Sequence, residues 1–163
     1  MRPGRTASIA LLVLLVTLGV VRPARADLTA FVGNNASPSN RQVRGVAVGF
    51  SLLVVGFEFE LSDTRADAAA DAPGLKTGMA NLLVQTPFGI AGLQFYATAG
   101  AGLYQEEGGG IGDTNGGTNV GGGVKISVAG PIRMRVDYRV FSLRGSPQHD
   151  THHRLYAGLN IGF

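Results

Sequence analysis

From about residue 28 onward, apolar and polar side chains alternate with period two. That period belongs to β-strands whose two faces meet different surroundings. The clearest stretch is Pro131–Leu143, where Ile132, Met134, Val136, Tyr138 and Val140 alternate with Arg133, Arg135, Asp137 and Arg139. In Val55–Leu61, the residues Val55, Phe57, Phe59 and Leu61 oppose Gly56, Glu58 and Glu60. Asn119–Val128 sets Val120, Val124, Ile126 and Val128 against Asn119, Gly121, Gly123, Lys125 and Ser127. Leu93–Leu103 and the final stretch from Arg154 to Phe163 follow the same rule. Weaker strands at about 28–33, 43–50 and 76–86 bring the number to eight.

The connections sharpen this reading. Short links fall at Ser51-Leu52, at Pro87-Phe88-Gly89 and at Ala129-Gly130-Pro131. Long polar links fall at about 34–42, 62–75, 105–118 and 144–152. Short and long alternate strictly, as in an up-and-down transmembrane barrel with tight periplasmic turns and four longer extracellular loops. The predicted fold is therefore all-β, an eight-stranded antiparallel transmembrane barrel.

Two barrels of this size compete. A soluble lipocalin-type carrier has an apolar interior, whereas an outer-membrane barrel turns its apolar row to lipid and keeps a polar lumen. Glycines recur in the polar rows, at Gly121, Gly123, Gly158 and Gly162. A solvated face has no use for glycine, but a narrow lumen packed with arginine and tyrosine needs small neighbours. Strands three and seven lie opposite one another in a ring of eight, so Glu58 and Glu60 should meet Arg133, Arg135 and Arg139. Buried charge is tolerated when paired. The expected lumen network comprises Glu58, Glu60, Lys125, Arg133, Arg135, Asp137, Arg139 and Arg154, in a barrel plugged by its own side chains.

Composition changes the picture at the N-terminus. Arg2 and Arg5 precede an apolar block from Ile9 to Val21, and Ala24-Arg25-Ala26 follows as a small-residue cleavage site. Residues 1–26 read as a secretory signal peptide cut after Ala26, which leaves 27–163 as one barrel domain exported to the bacterial outer membrane. Outside that block no apolar run approaches the ~20 residues of a membrane helix. Four of the 14 basic residues (Arg2, Arg5, Arg22 and Arg25) lie in the leader and none of the 11 acidic ones does, so residues 27–163 carry 10 bases and 11 acids. The charge argument for nucleic-acid binding disappears with the leader. The absence of cysteine excludes disulfides and thiol chemistry.

The stretch Gly121-Gly122-Gly123-Val124-Lys125, followed by Gly130-Pro131-Ile132-Arg133-Met134-Arg135-Val136-Asp137-Tyr138-Arg139, resembles the penultimate hairpin of the small OmpA/OmpX-like outer-membrane barrels of Gram-negative-type bacteria. The ending Tyr156-Ala157-Gly158-Leu159-Asn160-Ile161-Gly162-Phe163 is similar to their last strand. The resemblance implies outer-membrane lipids as surroundings. It also implies that Phe163, with Tyr156, Leu159 and Ile161, forms the signal read by the barrel assembly machinery. It says little about activity, because fold does not determine function.

Candidate chemistry is sparse, and neither a catalytic residue nor a cofactor is expected. His149, Asp150, His152 and His153 could ligate a metal such as zinc, but they read better as a solvated loop, because spacing in a loop fixes no ligand geometry. Gly108–Gly123 lacks the Lys-Ser or Lys-Thr of a phosphate loop. Lipid A deacylase barrels carry a His-x-Ser motif, and no His-x-Ser occurs here. Asp63, Asp67 and Asp71 recur every four residues, a spacing that would align them on a helix but reads better as an acidic loop. The reading is a non-enzymatic envelope protein, closed to flow, with four loops for an extracellular partner.

Overall fold

A computed structural model describes residues 25–87, 89–107 and 114–163. Most of the expected leader and part of the glycine-rich segment 108–123 lie outside these residues. The eight strands are β1 (Arg25–Asn35), β2 (Arg41–Leu52), β3 (Val55–Thr64), β4 (Gly74–Gln85), β5 (Leu93–Glu107), β6 (Thr114–Ala129), β7 (Ile132–Leu143) and β8 (Thr151–Gly162). Each pairs antiparallel with its sequence neighbour, and β1 with β8 closes the barrel, in register from Asp27 opposite Gly162 to Asn35 opposite Arg154.

Strand alternation decides the orientation. On β3, Phe57, Phe59 and Leu61 are 47%, 63% and 64% exposed, whereas Glu58 and Glu60 between them are 2% and 1% exposed. On β7, Met134 and Tyr138 face out while Arg135, Asp137 and Arg139 are buried. A soluble ligand carrier requires the reverse arrangement, so that alternative falls. Phe50 and Phe57 stack on the outer surface near the first short turn, with ring centroids 5.3 Å apart.

Three details differ from the sequence reading. The first short turn is Leu53-Val54, because the ladder continues through Ser51 opposite Gly56 and Leu52 opposite Val55. Leu53 takes the left-handed conformation there, with φ of 56°. Pro131 belongs to the Gly130-Pro131 turn and β7 starts at Ile132. The long loops are shorter than expected, since every strand except β7 extends into one of them. Asp63 ends on β3, Asp67 caps the short 3-10 turn Ala68–Ala70 and Asp71 closes it, so the three carboxylates share no helical face.

The interior also holds apolar side chains that the alternation did not assign. Phe31 stacks on Tyr156 at 4.3 Å and packs with Val43. Leu75, Tyr104 and Leu143 form a second cluster nearer the long loops.

Candidate functional site

Among the described residues, chemistry-bearing side chains converge in the lumen. It is best followed from the short turns towards the long loops. Near the turns, Lys125 Nζ lies 2.7 Å from Asp27 Oδ2, and the Arg133 guanidinium approaches the same oxygen at 3.6 Å.

The centre is denser. Arg135 pairs with Glu58 and, at 2.7 Å, with Asp137. Its Nε also donates to Tyr96 Oη at 2.7 Å. Arg139 meets Glu58 at 2.8 Å, Glu60 at 3.1 Å and Asp137 at 3.2 Å. Asn119 Nδ2 donates to Asn81 Oδ1 at 2.8 Å, and Asn81 reaches Glu58 at 3.4 Å. Hydrogen bonds of this kind offset the cost of taking ions from water. One level higher, Arg154 meets Glu60 at 3.4 Å, donates to Ser62 Oγ at 2.8 Å and lies over the Phe141 ring at 4.1 Å. Tyr156 Oη donates to Glu60 at 2.9 Å.

Glycine makes room for this network. A Cβ at Gly123 would stand 2.5 Å from Tyr96 Oη, and one at Gly121 would stand 2.8 Å from Arg139 Cγ. The β7 backbone stands closer still, with the Val136 carbonyl oxygen against the first position and the Tyr138 carbonyl oxygen against the second, so strand and side chains together leave room only for hydrogen.

At the loop end, Arg41 is buried and donates to the Pro73 carbonyl oxygen. His152 is buried too, with Nδ1 3.0 Å from Asn35 Nδ2 and from the Ser37 carbonyl oxygen, and Nε2 3.0 Å from the His149 carbonyl oxygen. His153 points the other way and bonds Tyr138 Oη at 2.7 Å on the outer surface. The expected histidine loop is thus partly strand, since Thr151 begins β8. His152 and His153 diverge across the sheet and make no common ligand set. Among the described residues no three His, Asp or Glu side chains converge on a metal position.

All eight expected lumen residues therefore face the interior. Tyr96 and Asn119, which the alternation puts in the polar rows, join the network, and Asp27 and Asn81, which the sequence did not single out, complete it. Of the expected assembly residues, Leu159 and Ile161 face outward, Phe163 is 75% exposed, and Tyr156, in the polar row with Arg154, points into the lumen.

No family model matches this chain, and no curated protein matches it. Solved structures do. The N-terminal β-barrel domain of Pseudomonas aeruginosa OprF aligns with a TM-score of 0.66 at 12% identity, over 85% of this chain and 97% of that one. Neisserial surface protein A aligns at 0.65 and 16%, over 86% and 96%. The fold is that of the small outer-membrane barrels. The outer membrane enzyme PagL shares it, with a TM-score of 0.54 at 15% identity over 83% of this chain and 98% of that one. Small barrels thus include an enzyme, and activity has to be argued from side chains. In this barrel no serine or threonine hydroxyl among the described residues is hydrogen-bonded to a histidine.

Proposed function

We propose that the protein spans the bacterial outer membrane as a closed, non-catalytic barrel. It would stiffen the envelope and carry four loops at the cell surface for contact with an extracellular partner. The observation that carries this reading is the division of surfaces: apolar side chains outside, and ion pairs filling the axis. Lipid surrounds the outer rows. The barrel assembly machinery reads the last strand, with Phe163 as its terminal aromatic. A lumen crossed by Glu58, Arg135 and Arg139 leaves no open path for solutes, since eight strands enclose only enough width for side chains.

Fractionation of native cells together with planar-bilayer recording tests the reading. The expected result is recovery with outer membranes and no large steady conductance. Recovery in the soluble periplasmic fraction would end the membrane reading. A large steady conductance would end the closed-lumen reading.

A further inference from the structure

The turn-side end of the lumen differs from its centre in charge. At the centre, Arg135, Arg139 and Arg154 answer Glu58, Glu60 and Asp137, three against three. Nearer the turns, a single carboxylate, Asp27, serves both Lys125 and Arg133. Lys125 holds it at 2.7 Å, which leaves Arg133 with one loose contact at 3.6 Å. The Arg133 side chain is only 16% exposed. A guanidinium has five N–H donors, and none of those on Arg133 makes a hydrogen bond among the described residues. It lines a bowl of about 550 Å³ at the turn-side mouth, together with Gln94, Ser127, Gly162 and Arg25 of the expected leader. A Cβ at Gly162 would lie 2.7 Å from an Arg133 terminal nitrogen, so glycine there leaves the guanidinium its place.

We propose that this mouth binds a phosphate-type oxyanion on Arg133. The planar fork matches two phosphate oxygens; the Ser127 hydroxyl and the second N–H of the Gln94 amide, whose Nε2 already donates to the Thr86 carbonyl oxygen at 3.1 Å, are neutral donors around the same bowl. Asp27 is the built-in competitor: it occupies part of the positive field that the oxyanion uses. The binding site rests on the proposed membrane reading only for the compartment it faces, the periplasm. The oxyanion is either a free solute or the headgroup of an inner-leaflet phospholipid.

The test uses the whole barrel in a neutral detergent, titrated with inorganic phosphate and followed at the Arg133 Nε–H resonance and by calorimetry. A parallel arm places the barrel in nanodiscs of phosphatidylcholine with and without phosphatidylglycerol. The expected result is a saturable Arg133 shift that high salt weakens. Arg133→Gln should weaken binding by about tenfold or more, the scale of a lost charged hydrogen bond. Arg133→Lys should give a smaller loss, and Asp27→Asn should bind more tightly. A purely structural arginine would not gain a ligand when Asp27 is neutralised. Response to free phosphate identifies a solute site, and response only to phosphatidylglycerol identifies a headgroup site. Silence of Arg133 in both arms, or equal titration of wild type and Arg133→Gln, overturns the proposal. Heat-shifted gel mobility reports whether each variant is folded, independently of binding and of compartment.

Discussion

Arg135 and Arg133 are two residues apart on β7 and point to the same side of the sheet, yet their surroundings differ. Arg135 is 1% exposed and holds Glu58, Asp137 and Tyr96. Arg133 has a share of Asp27 and a view of the mouth. The comparison teaches where charge is structural in such a barrel. An ion buried among several partners cannot be removed without stranding them, which costs roughly 3–5 kcal/mol. An ion at the mouth with one long contact, its side chain 16% exposed, contributes at most about 1 kcal/mol.

Reversing the central charge gives the largest expected effect. Arg135→Glu would add a carboxylate beside Glu58 and Asp137 and remove the base they share. The loss should exceed about 4 kcal/mol. In detergent, the heat-shifted gel mobility of the folded barrel should disappear. Arg144→Glu, on an exposed loop, should leave the mobility unchanged. Similar behaviour of the two variants would mean that the network does not hold the barrel together.

Filling the glycine gap comes next. Gly123→Ala would drive a methyl against Tyr96 Oη and the Val136 carbonyl oxygen. Overpacking of this kind costs about 1–3 kcal/mol, seen as a lower urea midpoint for unfolding in detergent. A paired Gly123→Ala, Tyr96→Phe variant should recover part of the loss, because the phenol oxygen is the nearest side-chain atom. No recovery would place the conflict at the backbone oxygen instead.

The strand count, the closure and the exposed faces were legible because period two is strong wherever the two faces of a strand meet different surroundings. The opposition of Glu58 and Glu60 to Arg135 and Arg139 was legible too, since ring position and distance from the turns can be counted. Other features carry weaker signals. In β4, Leu75, Met79 and Leu83 face in while Leu82 and Val84 face out, so apolar residues on both faces erase the alternation. Asn81 and Asn119 are single polar residues whose roles depend on partners across the lumen. Asp27 lies next to the expected cleavage site, where a charge is easily read as part of a processing boundary. His152 looks like loop because Asp150, Thr151, His153 and Arg154 around it are all polar, but the pairing of Phe141 with His152 draws it into β8.

For Arg133→Gln the expected loss of stability is below about 1 kcal/mol, close to the resolution of the unfolding measurement. That small figure sharpens the contrast with Arg135. If Arg133→Gln unfolded the barrel as readily as Arg135→Glu, the mouth would be as structural as the centre.

The smallest effect is a gain at the first turn. Leu53 adopts φ of 56°, a region in which a side chain crowds the following carbonyl oxygen, costing about 1 kcal/mol. The segment Phe50 to Phe57 offers no glycine at that position, and the turn is dictated by the ladder on either side. Leu53→Gly should relieve the strain while giving back some of it as flexibility of the unfolded chain, for a net gain of roughly 0.5 kcal/mol. A slightly higher unfolding midpoint is expected. A clear loss would mean that the Leu53 side chain, 40% exposed at the rim, makes contacts with lipid or detergent worth more than the strain.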